Sequence, residues 1–173
     1  MENSITTGQK NTATFIHLSV FTQFIFPLGN FIAPLLIWAA LKRDSIFVDN
    51  HGRRALNFQM STFVYAIGIV LISIPFIIYQ IINIVDTQGY FDLETQFDHF
   101  VLPNAAASGL IITALVFGLL LLALFVVTLF SVISAAVSAS NGEDYKYPLT
   151  INFLKPRSVS TVDSASDSSA EVS

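Results

Sequence analysis

Three long stretches without a charged side chain, Asn11–Leu41, Ala55–Val85 and His99–Gly142, set what this chain can fold into. The eight Lys/Arg and twelve Asp/Glu all lie outside them. A hydrocarbon core about 30 Å thick is crossed by roughly 20 apolar residues of helix at about 1.5 Å each, and each stretch supplies that length. A soluble core helix has no use for it. Only 12% of residues are charged and 53% are hydrophobic, where soluble proteins carry about a quarter charged. The expected class is therefore an all-α polytopic membrane protein with three hydrophobic helical segments. Its 173 residues leave no room for a separate extramembrane domain. Cysteine is absent, which excludes disulfides and thiolate metal sites.

Residues 1–13 read as a polar N-terminal segment without the pattern of a cleaved signal peptide. A single membrane-embedded helical domain over 14–157 follows, with spans at about 14–41, 55–85 and 105–139. The first span is interrupted by Pro27, Gly29, Asn30 and Pro34, where a kink or break is expected. Two readings remain, one kinked span or a re-entrant hairpin. The kinked span is favoured because a re-entrant turn needs its bare backbone buried in protein. Pro75 is expected to bend the second span without ending it. The third hydrophobic stretch exceeds the bilayer thickness and is expected to emerge into the interface before Asn141-Gly142 stops it. Residues 158–173, rich in Ser and Asp, read as a disordered tail.

Basic residues orient the chain. Lys42–Arg54 holds four of the eight Lys/Arg, the acidic loop Asp86–Asp98 none, and the segment after the third span Lys146, Lys155 and Arg157. The positive-inside rule places the first connection and the C-terminus in the cytoplasm and residues 86–98 outside, in a bacterial cytoplasmic membrane. Three spans then put the N-terminus outside, whereas a hairpin returns it to the cytoplasm. Trp38 and Tyr79 lie near span ends, as interfacial aromatics do.

The pattern of His17, Pro27-x-Gly29-Asn30, Pro34, Trp38, Phe47-Val48-Asp49-x-His51, Asn57-Phe58-Gln59 and Tyr145-x-Tyr147-Pro148-Leu149 resembles a bacterial family of small membrane proteins of unknown function. That family is distantly similar to the 20-kDa subunit of the chloroplast inner-envelope translocon. The resemblance covers about His17–Lys155 and departs from the family at Gln88–Pro103, which is longer and more polar. It implies architecture and membrane location, and no activity.

Individual residues carry two readings each. His17 is an intramembrane ionisable group, hence a functional suspect, but its position near a span end lets an imidazole reach headgroups or water. His51 beside Asp49 has the chemistry of a metal ligand or pH sensor, against a hydrogen-bonding loop with Asp49 capping the second helix and Arg53 and Arg54 facing anionic lipid. The second reading is preferred. Asn57 and Gln59 fall on different helix faces and are expected to make interhelical hydrogen bonds. The small residues Ala114, Gly118, Ser131, Ala135 and Ala139 permit close helix approach, within the chain or between copies.

No catalytic residue, metal site or cofactor is indicated. The chain lacks a Cys nucleophile, a zinc-binding His-Glu-x-x-His helix, a Gly-x-Ser-x-Gly elbow and a phosphate-cradling glycine loop. The apolar stretches hold no carboxylate for an aspartyl dyad. The expected function is that of a non-catalytic interaction or assembly subunit. The alternative is an oligomeric pore or protein-translocation component, suggested by the broken first segment and the translocon resemblance. Partners would be the lipid bilayer and further copies or other membrane proteins, not nucleic acid.

Overall fold

A computed structural model describes residues 5–43, 45–88 and 104–155. Their regular elements are helices: α1 (Thr7–Leu18), a 3₁₀ helix (Ser19–Phe24), α2 (Gly29–Leu41), α3 (Ile46–Gln88) and α4 (Asn104–Asn141). The expected all-α class with three hydrophobic segments is what the chain adopts. Ile46–Ile84 and Ser108–Asn141 are long and apolar enough to cross a membrane, and Gly29–Leu41 is a shorter apolar helix. Most of the acidic loop 86–98, Arg157 and the tail 158–173 lie outside the described residues.

The polar N-terminal segment is helical. Thr6 and Gln9 form a capping box, in which each side chain accepts from the other's backbone N–H, and α1 starts at Thr7. The first hydrophobic segment then folds back on itself, where a kinked span was favoured. Leu28 takes a left-handed φ of 62°, a conformation an L-residue adopts at a cost of about 1–2 kcal/mol, and α2 starts directly after it. Returning, α2 presses Gly29 against the Thr22 backbone, and its far end, Ile37, Trp38 and Leu41, packs beside Ile16 of α1. Gly29 against Thr22 at one end, and Ile37, Trp38 and Leu41 against the cluster that includes Ile16 at the other, make an antiparallel hairpin. Pro34 sits buried inside α2 without ending it.

The second helix starts earlier than its apolar stretch. Ser45 accepts a hydrogen bond from the Phe47 N–H at 3.2 Å, so α3 begins at Ile46 and takes in most of the expected connection Lys42–Arg54. It runs on through Pro75. α4 is continuous to Asn141, beyond the expected end near 139.

Contacts divide the chain into two compact units, residues 1–59 with 132–173, and residues 60–131. In the second, α3 and α4 run antiparallel, with the Phe76 and Phe117 rings 5.6 Å apart and Gly109 against the Gln80 side chain. Of the most apolar window in α4, 0% is buried. Apolar surface of that extent is stable against lipid and unstable against water.

In the first unit, buried polar groups lie between two apolar clusters. Ile16, Val48 and Ala55 form one cluster, and Val20, Phe58 and Val132 the other, with Phe21 and Tyr147 against it. Ala135 and Ala139 are fully buried, and the Thr14 hydroxyl reaches the Ala136 carbonyl at 3.4 Å. Here the small-residue face serves internal packing. Ala114 and Gly118, in contrast, are exposed.

Because a Cβ on Gly29 would meet the Thr22 backbone, Gly29→Ala is expected to destabilise the hairpin by about 1–3 kcal/mol. Denaturant unfolding in detergent measures it, with Gly68→Ala, which has open space, as the control.

Candidate functional site

The first unit draws the polar residues of remote segments into one buried cluster. α1 contributes His17, α3 contributes Asp49, His51, Arg53, Arg54, Asn57 and Gln59, and the segment after α4 contributes Asp144 and Tyr147. His17 and His51 are both 0% exposed. The Tyr147 hydroxyl lies 2.7 Å from His17 Nδ1, and His17 Nε2 lies 2.9 Å from His51 Nδ1. A nitrogen-to-nitrogen hydrogen bond needs one acceptor, so at least one ring is neutral. Burial, with Tyr145 adding to it, holds the Tyr147 phenol well above its ordinary pKa and keeps its proton in place. The series is satisfied when Tyr147 donates to His17 and His17 donates to His51. That leaves His51 Nε2 carrying its proton toward Asp144 Oδ1, 3.7 Å away.

His17 therefore does not reach headgroups or water, as its position near a span end suggested. His51 of α3 and Tyr147 of the chain after α4 pack against it. His51 is likewise no loop residue. It sits in the second turn of α3, against the ring of Phe47 at 4.3 Å.

Asp49 is not the helix cap, a place taken by Ser45. Being one turn further in and 1% exposed, its Oδ1 accepts from Trp38 Nε1 at 2.8 Å and from Arg53 Nε at 3.1 Å. The indole can come this close because position 52 has no side chain: a Cβ on Gly52 would collide with Trp38. Gly52 was not singled out in the sequence, where a Gly in a polar stretch looks like a turn.

Arg53 and Arg54 were expected to face lipid headgroups, and both guanidinium groups bind within the chain. Arg53 also donates to the Lys155 carbonyl at 3.3 Å. Arg54 holds both carboxylate oxygens of Asp144, at 2.8 and 2.9 Å, a bidentate charge-assisted pair, and reaches the Tyr145 carbonyl. That pairing holds the Asp144 carboxyl below its ordinary range against the opposing effect of partial burial.

Asn57 and Gln59 do turn to different neighbours. Asn57 clasps Leu154 by both backbone groups at 2.8 Å, tying the segment after α4 to α3. Gln59 accepts from Asn30 of α2 at 3.1 Å, the interhelical bond expected of it. Tyr145-Lys146-Tyr147-Pro148-Leu149 closes the cluster, with Leu149 in the left-handed region at φ 56° and Tyr147 stacked on Phe58 at 4.3 Å. Lys10 donates to the Asn141 carbonyl at 3.2 Å, where a cation suits the end of α4. The N-terminal helix and the segment after α4 thus meet, against the opposite placement that three full spans require.

Among the described residues no group of three or more His, Asp or Glu is placed to hold a metal ion. His17 uses both ring nitrogens, one on Tyr147 and one on His51 Nδ1, and His51 Nε2 faces Asp144 at 3.7 Å. The cluster is built as a lock that ties three segments together.

Tyr147→Phe would leave buried His17 Nδ1 without its partner and is expected to cost about 1–3 kcal/mol, read by denaturant unfolding in detergent. Tyr145→Phe is expected to stay within about 0.5 kcal/mol. Asp144 gives a pH test. A carboxyl lowered in the folded state contributes stability that is present above its unfolded pKa and is lost as pH falls through the folded value. Acidification from the ordinary carboxylate range, near about 4, downward is expected to lower the melting temperature of the native chain more than that of Asp144→Asn.

No curated protein and no solved structure matches the chain. A family profile does, over residues 8–154, which takes in α1 through the Asn57–Leu154 clasp. Its description names crystal formation in a bacterial membrane compartment, and neither translocation nor an unknown function. The chain belongs to the magnetosome magnetite crystal formation protein family.

Proposed function

We propose that this protein is a non-catalytic assembly component of the magnetosome membrane, held in the bilayer by α3 and α4 with its locked polar unit on the cytoplasmic face. Family membership supports the setting. One observation carries the rest: all eight Lys/Arg belong to the unit of residues 1–59 and 132–173, and none to residues 60–131. Basic residues near span ends are retained in the cytoplasm, and the hairpin returns the N-terminus to that same side. Residues 86–98, with four carboxylates and no basic residue, would face the opposite compartment.

The polar groups support an architectural role. Buried polar networks fix one arrangement among many, because leaving a member unpaired in a low-dielectric site is costly. A rigid face of this kind suits docking to other membrane proteins or to further copies.

In sealed magnetosome vesicles with their cytoplasmic face outward, Cys introduced at Gly8 and at Ser45 should both react with an impermeant maleimide, while Cys at Thr95 should stay protected until detergent is added. Labelling at Ser45 with protection at Gly8 would put the N-terminus on the opposite side and overturn this topology. Purified in mild detergent, the protein should form a discrete assembly that leaves proteoliposomes electrically silent. A reproducible conductance would replace the reading with the oligomeric pore.

A further inference from the structure

At the turn between α1 and α2, Ile25 is 82% exposed, more than any other large apolar side chain among the described residues, with Phe24 at 67% and Leu28 at 57% beside it. Water is a poor partner for such a tip. Leu28 also holds its left-handed φ where Gly or Asn would sit with less strain, so an apolar group is kept here against the local preference. The turn closes its backbone by its own bonds. Ile25 and Phe26 donate to the Thr22 carbonyl, Gly29 to Phe26, and Phe31 and Ile32 to Leu28, all at 2.9–3.1 Å, while Pro27 has no N–H to satisfy. The Ser19 and Thr22 hydroxyls turn back to the Ile16 and Ser19 carbonyls. Non-helical backbone enters hydrocarbon only when its polar groups are satisfied within protein, and these groups are satisfied inside the hairpin.

The length of α2 fixes how far the tip reaches. From Leu28 to Trp38 the helix rises about 15 Å at about 1.5 Å per residue, half of a hydrocarbon core about 30 Å thick. Along that length Ile32, Leu35 and Leu36 are also exposed. The first charged side chains after the tip, Lys42 and Arg43, follow where α2 ends, and Lys42 lies over the Trp38 ring at 4.7 Å. An indole with cations beyond it marks a headgroup boundary. We propose that the α1–α2 hairpin is a wedge set into one leaflet of the bilayer, its tip near the midplane, and that the protein therefore concentrates where that leaflet is convex. Chain volume added to one leaflet spreads it relative to the other, whereas a crossing helix fills both. The inference rests on the membrane placement of the first unit, and it holds whichever compartment that unit faces and whatever the protein assembles with.

The chain has no Cys, so single probes can be placed in the full-length protein reconstituted in vesicles of phosphatidylcholine and phosphatidylglycerol. A bimane on Ile25→Cys should be quenched roughly twofold more by nitroxides at the methyl end of the acyl chain than by nitroxides near the headgroup, and not by aqueous iodide. Quenching by iodide would put the tip in water, and cross-linking of Ile25→Cys between chains would give it to a second copy; either result overturns the insertion. For curvature, an impermeant dye attached from outside to Gly8→Cys marks only the chains whose first unit faces outward. On tubes pulled outward from giant vesicles these chains should be enriched roughly twofold or more over the parent membrane. Ile25→Gln with Leu28→Asn should abolish the enrichment without lowering the melting temperature, since both side chains are exposed and Asn suits the left-handed backbone. Equal density of the native chain on tube and vesicle would overturn the wedge, and enrichment kept by the double variant would overturn the part given to the hairpin tip.

Discussion

Two imidazoles shut off from water and a half-buried phenol, hydrogen-bonded in series, hold the first unit together. His17, His51 and Tyr147 come from α1, α3 and the segment after α4, so the series closes chain loops of very different length. Each bond is modest by itself, of order 1 kcal/mol net. The cost of leaving any of these groups buried and unpaired is what makes the arrangement unique. The placement of α1 against α3 and of the chain after α4 depends on it.

Around that series the remaining polar groups are arranged in pairs that each complete a neighbour's bonding. Arg54 neutralises Asp144, which stands beyond His51. Arg53 and Trp38 share one oxygen of Asp49, and the missing side chain of Gly52 makes room for the indole. Asn57 supplies both partners that the Leu154 backbone needs. Residues that read in sequence as a basic, lipid-facing surface are thereby turned inward.

For a family named for forming magnetite crystals, this distribution separates two tasks. The polar unit is compact and cross-linked by hydrogen bonds between remote segments, as a docking or positioning element would be. Residues 60–131 place long, exposed apolar helices where lipid or other membrane segments can cover them, and their connection is acidic without a single basic residue.

The all-α membrane class, the helix through Pro75, the stop at Asn141-Gly142 and the separate faces of Asn57 and Gln59 were legible in sequence. Each follows from local rules of charge exclusion, periodicity and backbone chemistry. The capping box at Thr6 and Gln9 lies in what reads in sequence only as a polar N-terminal segment. The fold-back at Leu28-Gly29 was not legible, because Pro and Gly announce a break without giving its angle, and the angle is set by where Gly29 meets Thr22. Nor was the pairing of His17 with His51, since a sequence separation of 34 leaves their distance to the packing of α1, α2 and α3. Sequence by itself determined where water is excluded along the chain. Only tertiary structure decided which polar groups meet there, because a hydrogen bond depends on distances that no local pattern encodes.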